Sequence, residues 1–316
     1  MPTAPAQPIE LRFMIDDWPA SLFRLLKSQI VNLFPMFLKA AISSAIDHLT
    51  ANSIGSPRLN AETLMMFTLG CDRAYLYAHP ERELSGDEER RFAGYVAERA
   101  TGKPAQYITG HQEFWGLDLL VSPAVLIPRP ETEHVVETVL ALTQDSAAQK
   151  ISSMIDVGTG SGCIAIALAS ELASAEVHAS DISAQALEIA RANAARLGFA
   201  GRIQFHHADL LQGVPGQPFD FVVSNPPYVS EAEPEKTQRE VREFEPRVAV
   251  FGGETGLEVY QRLVPQAHER LRPGGWLVME IGFSIEQPVR SLLQAWSEVR
   301  TVNDLQGIPR VVAARK

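Results

Sequence analysis

A glycine-rich segment between a short apolar run and a helical pattern is the first group of residues suited to chemistry. The apolar run ends at Val157 and is followed by Gly158-Thr159-Gly160-Ser161-Gly162, after which a helix is predicted from Cys163. Glycine has no Cβ, so it permits a tight turn and lets a ligand approach the backbone. The spacing differs from the dinucleotide pattern G-x-G-x-x-G, because the third glycine follows after a single residue. It is similar to a loop that binds S-adenosylmethionine, and an ordinary strand-to-helix turn is the alternative.

Acidic residues follow the next two apolar runs. Asp181 ends the second run, 23 positions after Gly158. At about this spacing in nucleotide-binding sheets a carboxylate accepts hydrogen bonds from ribose hydroxyls, and capping of the next helix is the alternative role. Asp209 and Leu210 follow the third run, where we expect the carboxylate to accept the exocyclic amine of adenine while Leu210 packs on the ring. The residues that follow these three apolar runs could together bind the different parts of one adenosine-containing ligand.

The segment Asn225-Pro226-Pro227-Tyr228 follows the fourth apolar run. Its two prolines lack N–H donors, keep their carbonyl acceptors and hold φ at about −65°. A planar –NH2 group needs acceptors, which the Asn225 side-chain oxygen and the Pro226 carbonyl can provide while Tyr228 covers one face. The other face would be directed at a methyl sulfonium, whose in-line displacement needs positioning more than acid–base help. A simple turn is the alternative, but the place of the segment favours a methyltransferase acting on an amide or amine nitrogen.

Alternating strands and helices must position these segments. The predicted strands are residues 153–157, 176–180, 203–207, 219–224, 276–281, 299–303 and 310–314. The predicted helices are residues 131–142, 163–172, 184–197, 256–271 and 286–296. Such alternation is typical of an α/β fold, here a Rossmann-like, doubly wound and mostly parallel sheet of the class I methyltransferase kind. Ligands bind at the carboxyl ends of such strands, so the four segments should meet at one edge.

The chain before this sheet has a different pattern. Residues 36–104 show apolar residues at helical spacing, as in Phe37, Ile42, Ile46 and Leu49, and predict a small helical domain. Ser85 with Glu88 is a capping-box pattern that marks one helix start. Residues 105–130 form a linker with a short strand pair, predicted as a hairpin over residues 113–121, and residues 131–316 form the methyltransferase domain.

Residues 1–35 are predicted to be an N-terminal extension of unknown role. The apolar stretch at residues 21–34 is interrupted by Arg24, Lys27 and other polar residues, so it is too broken to cross a bilayer. The acidic start differs from a secretory signal. Three interpretations stay open: an extra helix or leader, a start codon assigned too early with Met36 the working start, and an interfacial amphipathic helix.

Composition limits the partners of the protein. The 316 residues carry 38 acidic and 28 basic side chains, a formal net charge of −10, which disfavours duplex nucleic acid as a direct partner. The two cysteines, Cys71 and Cys163, lie far apart and without the spacing of a zinc site or a disulfide framework. We expect a cytoplasmic protein without a metal or a membrane association, monomeric apart from a transient protein partner.

The chain resembles the peptide chain release factor N5-glutamine methyltransferase family. The resemblance covers the chain from Met36 onward and rests on a few segments. These are VSPAVLIPRPETE at residues 121–133, DVGTGSG at 156–162, SNPPYV at 224–229, FEPRVAVFGGETGLEVY at 244–260 and the ending DLQGIPRVVAARK. The resemblance implies transfer of a methyl group from S-adenosylmethionine to the glutamine of the Gly-Gly-Gln tip of release factors, proteins of translation termination. S-adenosylhomocysteine is the implied product, and the helical domain would help to receive the protein substrate.

By the same resemblance, the residues at matching positions take defined roles. The cofactor would be held by Gly158, Thr159, Gly160, Ser161, Gly162 and Asp181, and Leu210 would lie on the adenine. Asp209 and Asn225, which the resemblance does not supply, complete the predicted cofactor-binding residues. Asn225, Pro226, Pro227 and Tyr228 would bind the glutamine amide, and Asn225, Pro226 and Tyr228 would be catalytic. Family members often have an aromatic residue at the position of Leu210, so this chain departs most from the family pattern at the predicted adenine contact.

Three alternatives to this function stay open. One is methylation of a glutamine on a ribosomal protein by a related family that shares the Asn-Pro-Pro-Tyr segment. Another is methylation of adenine N6 in nucleic acid, since a flipped adenine also offers a planar –NH2 group; net charge argues against it. The third is a binding module without turnover, against which the intact Asn225–Tyr228 segment argues.

Overall fold

The computed structural model describes residues 35–145, 153–216 and 218–316. The described residues divide into two units, one that ends at Ala100 and one that spans Thr101–Lys316. No helix in the described ranges is both long enough and apolar enough to cross a bilayer. The interpretations offered for the apolar stretch at residues 21–34 lie outside the described residues.

The first unit is helical, as the apolar spacing predicts. Its helices are α1 Leu38–Ala51, α2 Pro57–Leu69, α3 Arg73–Ala78 and α4 Gly86–Ala100. The capping box is confirmed: Ser85 N donates to Glu88 Oε2 at 2.9 Å and Glu88 N donates to Ser85 Oγ at 3.3 Å.

The buried face of α1 differs from the stripe of large apolar residues that predicted the helix. Leu49 is buried, but Phe37 is 38% exposed, and Ala41 and Ala45 take the inward positions. Helix α1 contacts both α2 and α4, and small side chains at its inward positions permit such packing. The spacing therefore predicts the helix and not its inward face.

A short helix and a hairpin open the second unit. Helix α5 Ala105–Thr109 precedes the antiparallel strands β1 His111–Phe114 and β2 Leu117–Leu120. The predicted hairpin is confirmed. A 3₁₀ turn at Pro130–Thr132 then leads into α6 Glu133–Asp145.

The other strands of the described ranges form one sheet in the order β5-β4-β3-β6-β7-β9-β8. They are β3 Ser153–Val157, β4 Glu176–Asp181, β5 Ile203–His207, β6 Phe219–Ser224, β7 Leu271–Glu280, β8 Glu298–Asn303 and β9 Pro309–Arg315. Pairs among β3 to β7 are parallel, and β9 pairs antiparallel with both β7 and β8. The predicted doubly wound, mostly parallel sheet is confirmed. Strand order changes direction between β4 and β6, on either side of β3, which is where such sheets bind ligands.

Helices between the strands cover the sheet. They are α7 Cys163–Glu171, α8 Ala184–Arg196, α11 Glu258–Arg270 and α12 Glu286–Leu292. Residues of β6 are buried throughout, which is why this strand reads as a continuous apolar run. Helix α12 ends at Leu292, before the predicted end at residue 296, and residues 293–295 form a turn. Two short helices that the sequence pattern did not predict, α9 Arg239–Phe244 and α10 Arg247–Val250, follow β6.

Candidate active site

The three glycines of the loop after β3 have different surroundings. All three have positive φ, at +72° for Gly158, +56° for Gly160 and +84° for Gly162. A Cβ at Gly162 would lie 3.2 Å from Ala190 Cβ of α8, so this glycine lets two helices pack. A Cβ at Gly158 or Gly160 would meet no described heavy atom within 4 Å. The first two glycines therefore border open space in which a ligand can approach the backbone.

The buried carboxylate of Asp156 binds this loop and the helix that follows it. Asp156 accepts hydrogen bonds through Oδ2 from Thr159 Oγ1 at 2.6 Å and from Ala165 N, in the first turn of α7, at 3.2 Å. Burial raises the pKa of Asp156 to about 7, against the lowering effect of these two donors. The Thr159 hydroxyl therefore donates its proton within the protein. Thr159 can contribute to a ligand site through its position in the loop.

Asp181 joins the loop to the end of β4. Its Oδ2 accepts from Gly160 N at 2.9 Å, and its Oδ1 accepts from Ser183 N at 2.8 Å. Burial raises the pKa of Asp181, and these backbone donors oppose the rise. The helix N-cap is Ser183, whose Oγ accepts from Ala186 N at 3.2 Å, so the alternative of Asp181 as N-cap is wrong. The carboxylate instead faces the glycine loop across the strand ends.

The segment after β5 is held in an uncommon conformation. Leu210 has φ +56°, a region that larger residues seldom adopt, and its carbonyl accepts from Ser180 Oγ at 3.0 Å. Asp209 forms an ion pair with Arg262 of α11, and both side chains are partly exposed. Asp209 therefore has a protein partner already, which the sequence did not indicate.

One cavity brings most of the predicted cofactor residues together. The predicted residues that line it are Gly158, Thr159, Gly160, Ser161, Asp181, Asp209, Leu210, Asn225 and Pro227. Gly162 lies outside the lining because it packs against α8. Thr132, Val248 and Arg262 also line the cavity, and none of them was a predicted site residue.

A second cavity also borders the Asn225–Tyr228 segment. Of these two cavities, Pro226 and Tyr228 line the second one alone, whereas Asn225 and Pro227 line both. Pro226 is buried, and Asn225 is half-buried at the end of β6. Burial raises the pKa of Tyr228 to about 12, so its phenol stays neutral near pH 7.

The segment after β6 is supported by residues 250–256. Val229 N donates to the Val250 carbonyl at 3.1 Å, and Gly252 N donates to the Val229 carbonyl at 2.9 Å. A Cβ at Gly252 would overlap the Pro227 carbonyl oxygen, and one at Gly256 would overlap the Tyr228 carbonyl oxygen. Both glycines are required by close backbone approach. Their segment carried the family resemblance, but no pattern in the sequence assigned them this role.

A hydrogen-bond chain holds the side chain of Asn225. Its Nδ2 donates to Thr132 Oγ1 at 3.1 Å, and Thr132 Oγ1 donates to Glu280 Oε2 at 2.6 Å. Thr132 and Glu280 are both buried, and Glu280 ends β7. With Nδ2 bound in this way, Asn225 Oδ1 is left to accept a hydrogen bond from a bound group. Neither Thr132 nor Glu280 was predicted as a site residue.

Family models match both halves of the chain. A model described as the PrmC N-terminal domain matches residues 40–110, and one described as the Methyltransferase small domain matches residues 138–243.

Similar proteins cover nearly the whole chain. A release factor glutamine methyltransferase from Koribacter versatilis is 56% identical over 282 residues, which is 89% of this chain and 99% of that protein. One from Geobacter sulfurreducens is 42% identical over 270 residues, covering 85% and 93%. Among solved structures, the hMettl16 catalytic domain, in complex with MAT2A 3'UTR hairpin 1, superposes with a TM-score of 0.50. It shares 17% identity and covers 70% of this chain and 80% of its own, a likeness of fold alone.

Proposed function

The chain belongs to the release factor glutamine methyltransferase family, whose members use S-adenosylmethionine, and from that premise we propose a specific substrate atom. The protein transfers a methyl group to the side-chain amide nitrogen (N5) of the glutamine in the Gly-Gly-Gln motif of peptide chain release factors. The observation that carries this proposal is the position of Asn225 and Pro227, which line both the cavity of the glycine loop and the second cavity. A nitrogen held there would lie where the cavity of the glycine loop and the second cavity adjoin.

The first cavity suits S-adenosylmethionine, which supplies an electrophilic methyl group when bound. Gly158 and Gly160 leave open space beside the loop, and Asp181 lines the cavity with a carboxylate that can accept from ribose hydroxyls. Leu210 offers an apolar surface for adenine. Asp209 is paired with Arg262. It would accept a hydrogen bond from the exocyclic amine only through carboxylate lone pairs that Arg262 does not occupy.

The Asn225–Tyr228 segment would hold the amide. An amide nitrogen is a weak nucleophile because its lone pair is delocalised into the carbonyl group. Asn225 Oδ1 and the Pro226 carbonyl oxygen would accept its two hydrogens, which raises electron density on nitrogen and fixes the direction of the lone pair. Tyr228, neutral near pH 7, covers the plane and does not act as a base. One of the two hydrogens leaves as a proton when the nitrogen is methylated.

The second cavity would admit the tip of the substrate. Its wall contains Arg129 paired with the buried Glu245, together with Glu131 and Arg310. A wall of mixed charge can bind the carbonyl and N–H groups of an extended peptide without favouring an anion such as a nucleic acid backbone. This supports a protein substrate over nucleic acid.

Labelled cofactor tests the substrate directly. The protein is incubated with labelled S-adenosylmethionine and, in parallel, with release factor, ribosomes or DNA. We expect label in release factor, and none in a release factor whose Gly-Gly-Gln glutamine is replaced by alanine, since the only acceptor nitrogen is then missing. Label in the ribosomal fraction alone would favour the ribosomal-protein alternative. Label in DNA alone, or in the alanine-substituted release factor, would show that the proposed atom is wrong.

Gly252→Ala should impair the transfer step far more than cofactor binding, because the glycine loop and Asp181 lie outside the shifted segment. The added Cβ overlaps the Pro227 carbonyl oxygen, so the Asn225–Tyr228 segment must shift, and a misplacement of about 1 Å costs roughly 100-fold in rate. We expect kcat to fall by about that factor, while the cofactor Kd from calorimetry changes by less than about threefold. Gly201→Ala is the matched control, because a Cβ there meets no described atom within 4 Å. Equal kcat values for the two variants would refute the supporting role of Gly252.

A further inference from the structure

The hydrogen-bond chain behind Asn225 has a direction that follows from its donors and acceptors. Thr132 has one hydroxyl proton, and its oxygen lies 2.6 Å from Glu280 Oε2 and 3.1 Å from Asn225 Nδ2. An ionised carboxylate can only accept, so the Thr132 proton must be donated to Glu280. The Thr132 oxygen can then only accept from Asn225. The carboxamide must therefore turn its NH2 group toward Thr132 and its oxygen away.

The members of this chain are held firmly by their surroundings. Thr132 is 2% exposed and ends the 3₁₀ turn, where its N–H donates to the Arg129 carbonyl at 3.0 Å. Glu280 is 3% exposed, and its carbonyl accepts from the buried Tyr260 hydroxyl at 2.8 Å. Burial keeps water from competing for the Thr132 hydroxyl, which gives the chain its direction.

We propose that Thr132 and Glu280 are positioning residues that set the polarity of the Asn225 carboxamide and so make the site select an amide over a carboxylate. The proposal rests on the proposed function, because the group to be selected is the glutamine amide. With Asn225 Oδ1 facing the substrate, a glutamine –NH2 group finds an acceptor. A glutamate carboxylate would meet acceptors only and would be repelled. A reversed Asn225 would present a donor to the amide NH2 and lose this selection.

The charge state of Glu280 controls this polarity. The titratable and charged groups that face Glu280 are Glu131, Arg129, Arg310, Tyr228, Tyr260 and Cys163. Burial raises the pKa of Glu280 to about 7; the Thr132 hydroxyl opposes the rise, Glu131 adds to it, and the two arginines oppose it. Below that pH the protonated carboxyl no longer compels Thr132 to donate to it, and Thr132 can donate to Asn225 Oδ1 instead. The turnover number should therefore rise as pH increases through about 7.

Threonine variants test the hydrogen-bond chain. Thr132→Val keeps the side-chain shape but removes the hydroxyl, and we expect kcat on release factor to fall roughly 10- to 100-fold. KM and cofactor Kd should change by less than about threefold, since neither cavity is filled. Thr132→Ser restores the hydroxyl and should recover most of kcat. Thr138→Val is the matched control: this buried threonine donates only to the His134 carbonyl, at 2.6 Å, and kcat should be unchanged.

Glu280→Gln tests the polarity through the pH profile. A glutamine side chain does not titrate, so the rise in kcat between about pH 6 and about pH 8 should disappear. Asp156, whose pKa is also raised to about 7, is retained in this variant and serves as an internal control for other titrations. Melting temperatures of all variants are measured to establish that they fold.

Three results would overturn the proposal. A folded Thr132→Val variant with the parent's kcat would do so, as would failure of Thr132→Ser to recover activity. A Glu280→Gln profile parallel to the parent's would also exclude control of polarity by Glu280. The parent is assayed alongside: absence of label in release factor with the parent protein would overturn the proposed function itself. A normal Thr132→Val variant beside an active parent would overturn the positioning role only.

Discussion

Replacing Asn225 by alanine should reduce kcat on release factor by roughly 10²–10³-fold, the range seen when one oriented polar contact to the reacting group is lost. The substitution removes the acceptor that faces the amide and leaves Thr132 Oγ1 without the Nδ2 donor at 3.1 Å. The main-chain acceptor at Pro226 is retained, so binding of the release factor should weaken much less than turnover. The cofactor should bind nearly as tightly as to the parent, since the glycine loop and Asp181 are unchanged.

Steady-state kinetics and calorimetry separate these effects. Single-turnover rates with saturating cofactor report the transfer step, and titration with S-adenosylmethionine reports the cavity. Asn52→Ala is the control, because Asn52 is an exposed residue of the helical unit whose Nδ2 donates only to the His48 carbonyl. Normal single-turnover rates for Asn225→Ala would exclude the amide-holding role of this residue.

Replacing Gly160 by leucine should weaken cofactor binding by about 100-fold or more. A Cβ at Gly160 meets no described atom within 4 Å, so a larger side chain extends into the space assigned to the cofactor without disturbing the core. The backbone φ of +56° adds strain of about 1 kcal/mol for any residue with a Cβ. Strain alone would lower stability and leave the cavity intact.

Gly198→Leu separates the two causes. Gly198 has φ +85°, is exposed and also offers open space to a Cβ, but it lies at the end of α8 and outside the lining of the first cavity. Both leucine variants should lose similar stability in thermal unfolding, whereas only Gly160→Leu should lose the calorimetric binding signal. Unchanged cofactor affinity in Gly160→Leu would place the cofactor elsewhere.

Features that depend on local sequence were predictable. The alternation of apolar runs and helical patterns predicted the parallel sheet, and the segments following those runs gave nine of the residues that line the first cavity. The reason is geometric: parallel strands bring their carboxyl ends to one edge, so Gly158, Asp181, Leu210 and Asn225 meet whatever the details of packing. The capping box at Ser85 and Glu88 was predictable because its two residues are only three positions apart in the sequence.

Features that depend on contacts between distant segments were not predictable. Thr132 lies 93 positions from Asn225 and 148 positions from Glu280, and no local pattern marks either residue as a partner. The need for glycine at positions 252 and 256 arises from the approach of a backbone that lies more than twenty residues earlier in the chain. The pairing of Asp209 with Arg262 joins the end of β5 to α11. Such contacts follow from the folded arrangement and have no signature in a single sequence.

Tandem mass spectrometry of the release factor tip peptide shows directly which residue receives the methyl group. The peptide containing Gly-Gly-Gln is isolated before and after reaction with the protein and S-adenosylmethionine. We predict a mass gain of one methylene unit, located by fragmentation on the glutamine side chain and absent when Asn225→Ala replaces the parent. A methyl group on any other residue, or an unmodified glutamine after complete consumption of the cofactor, would contradict this prediction.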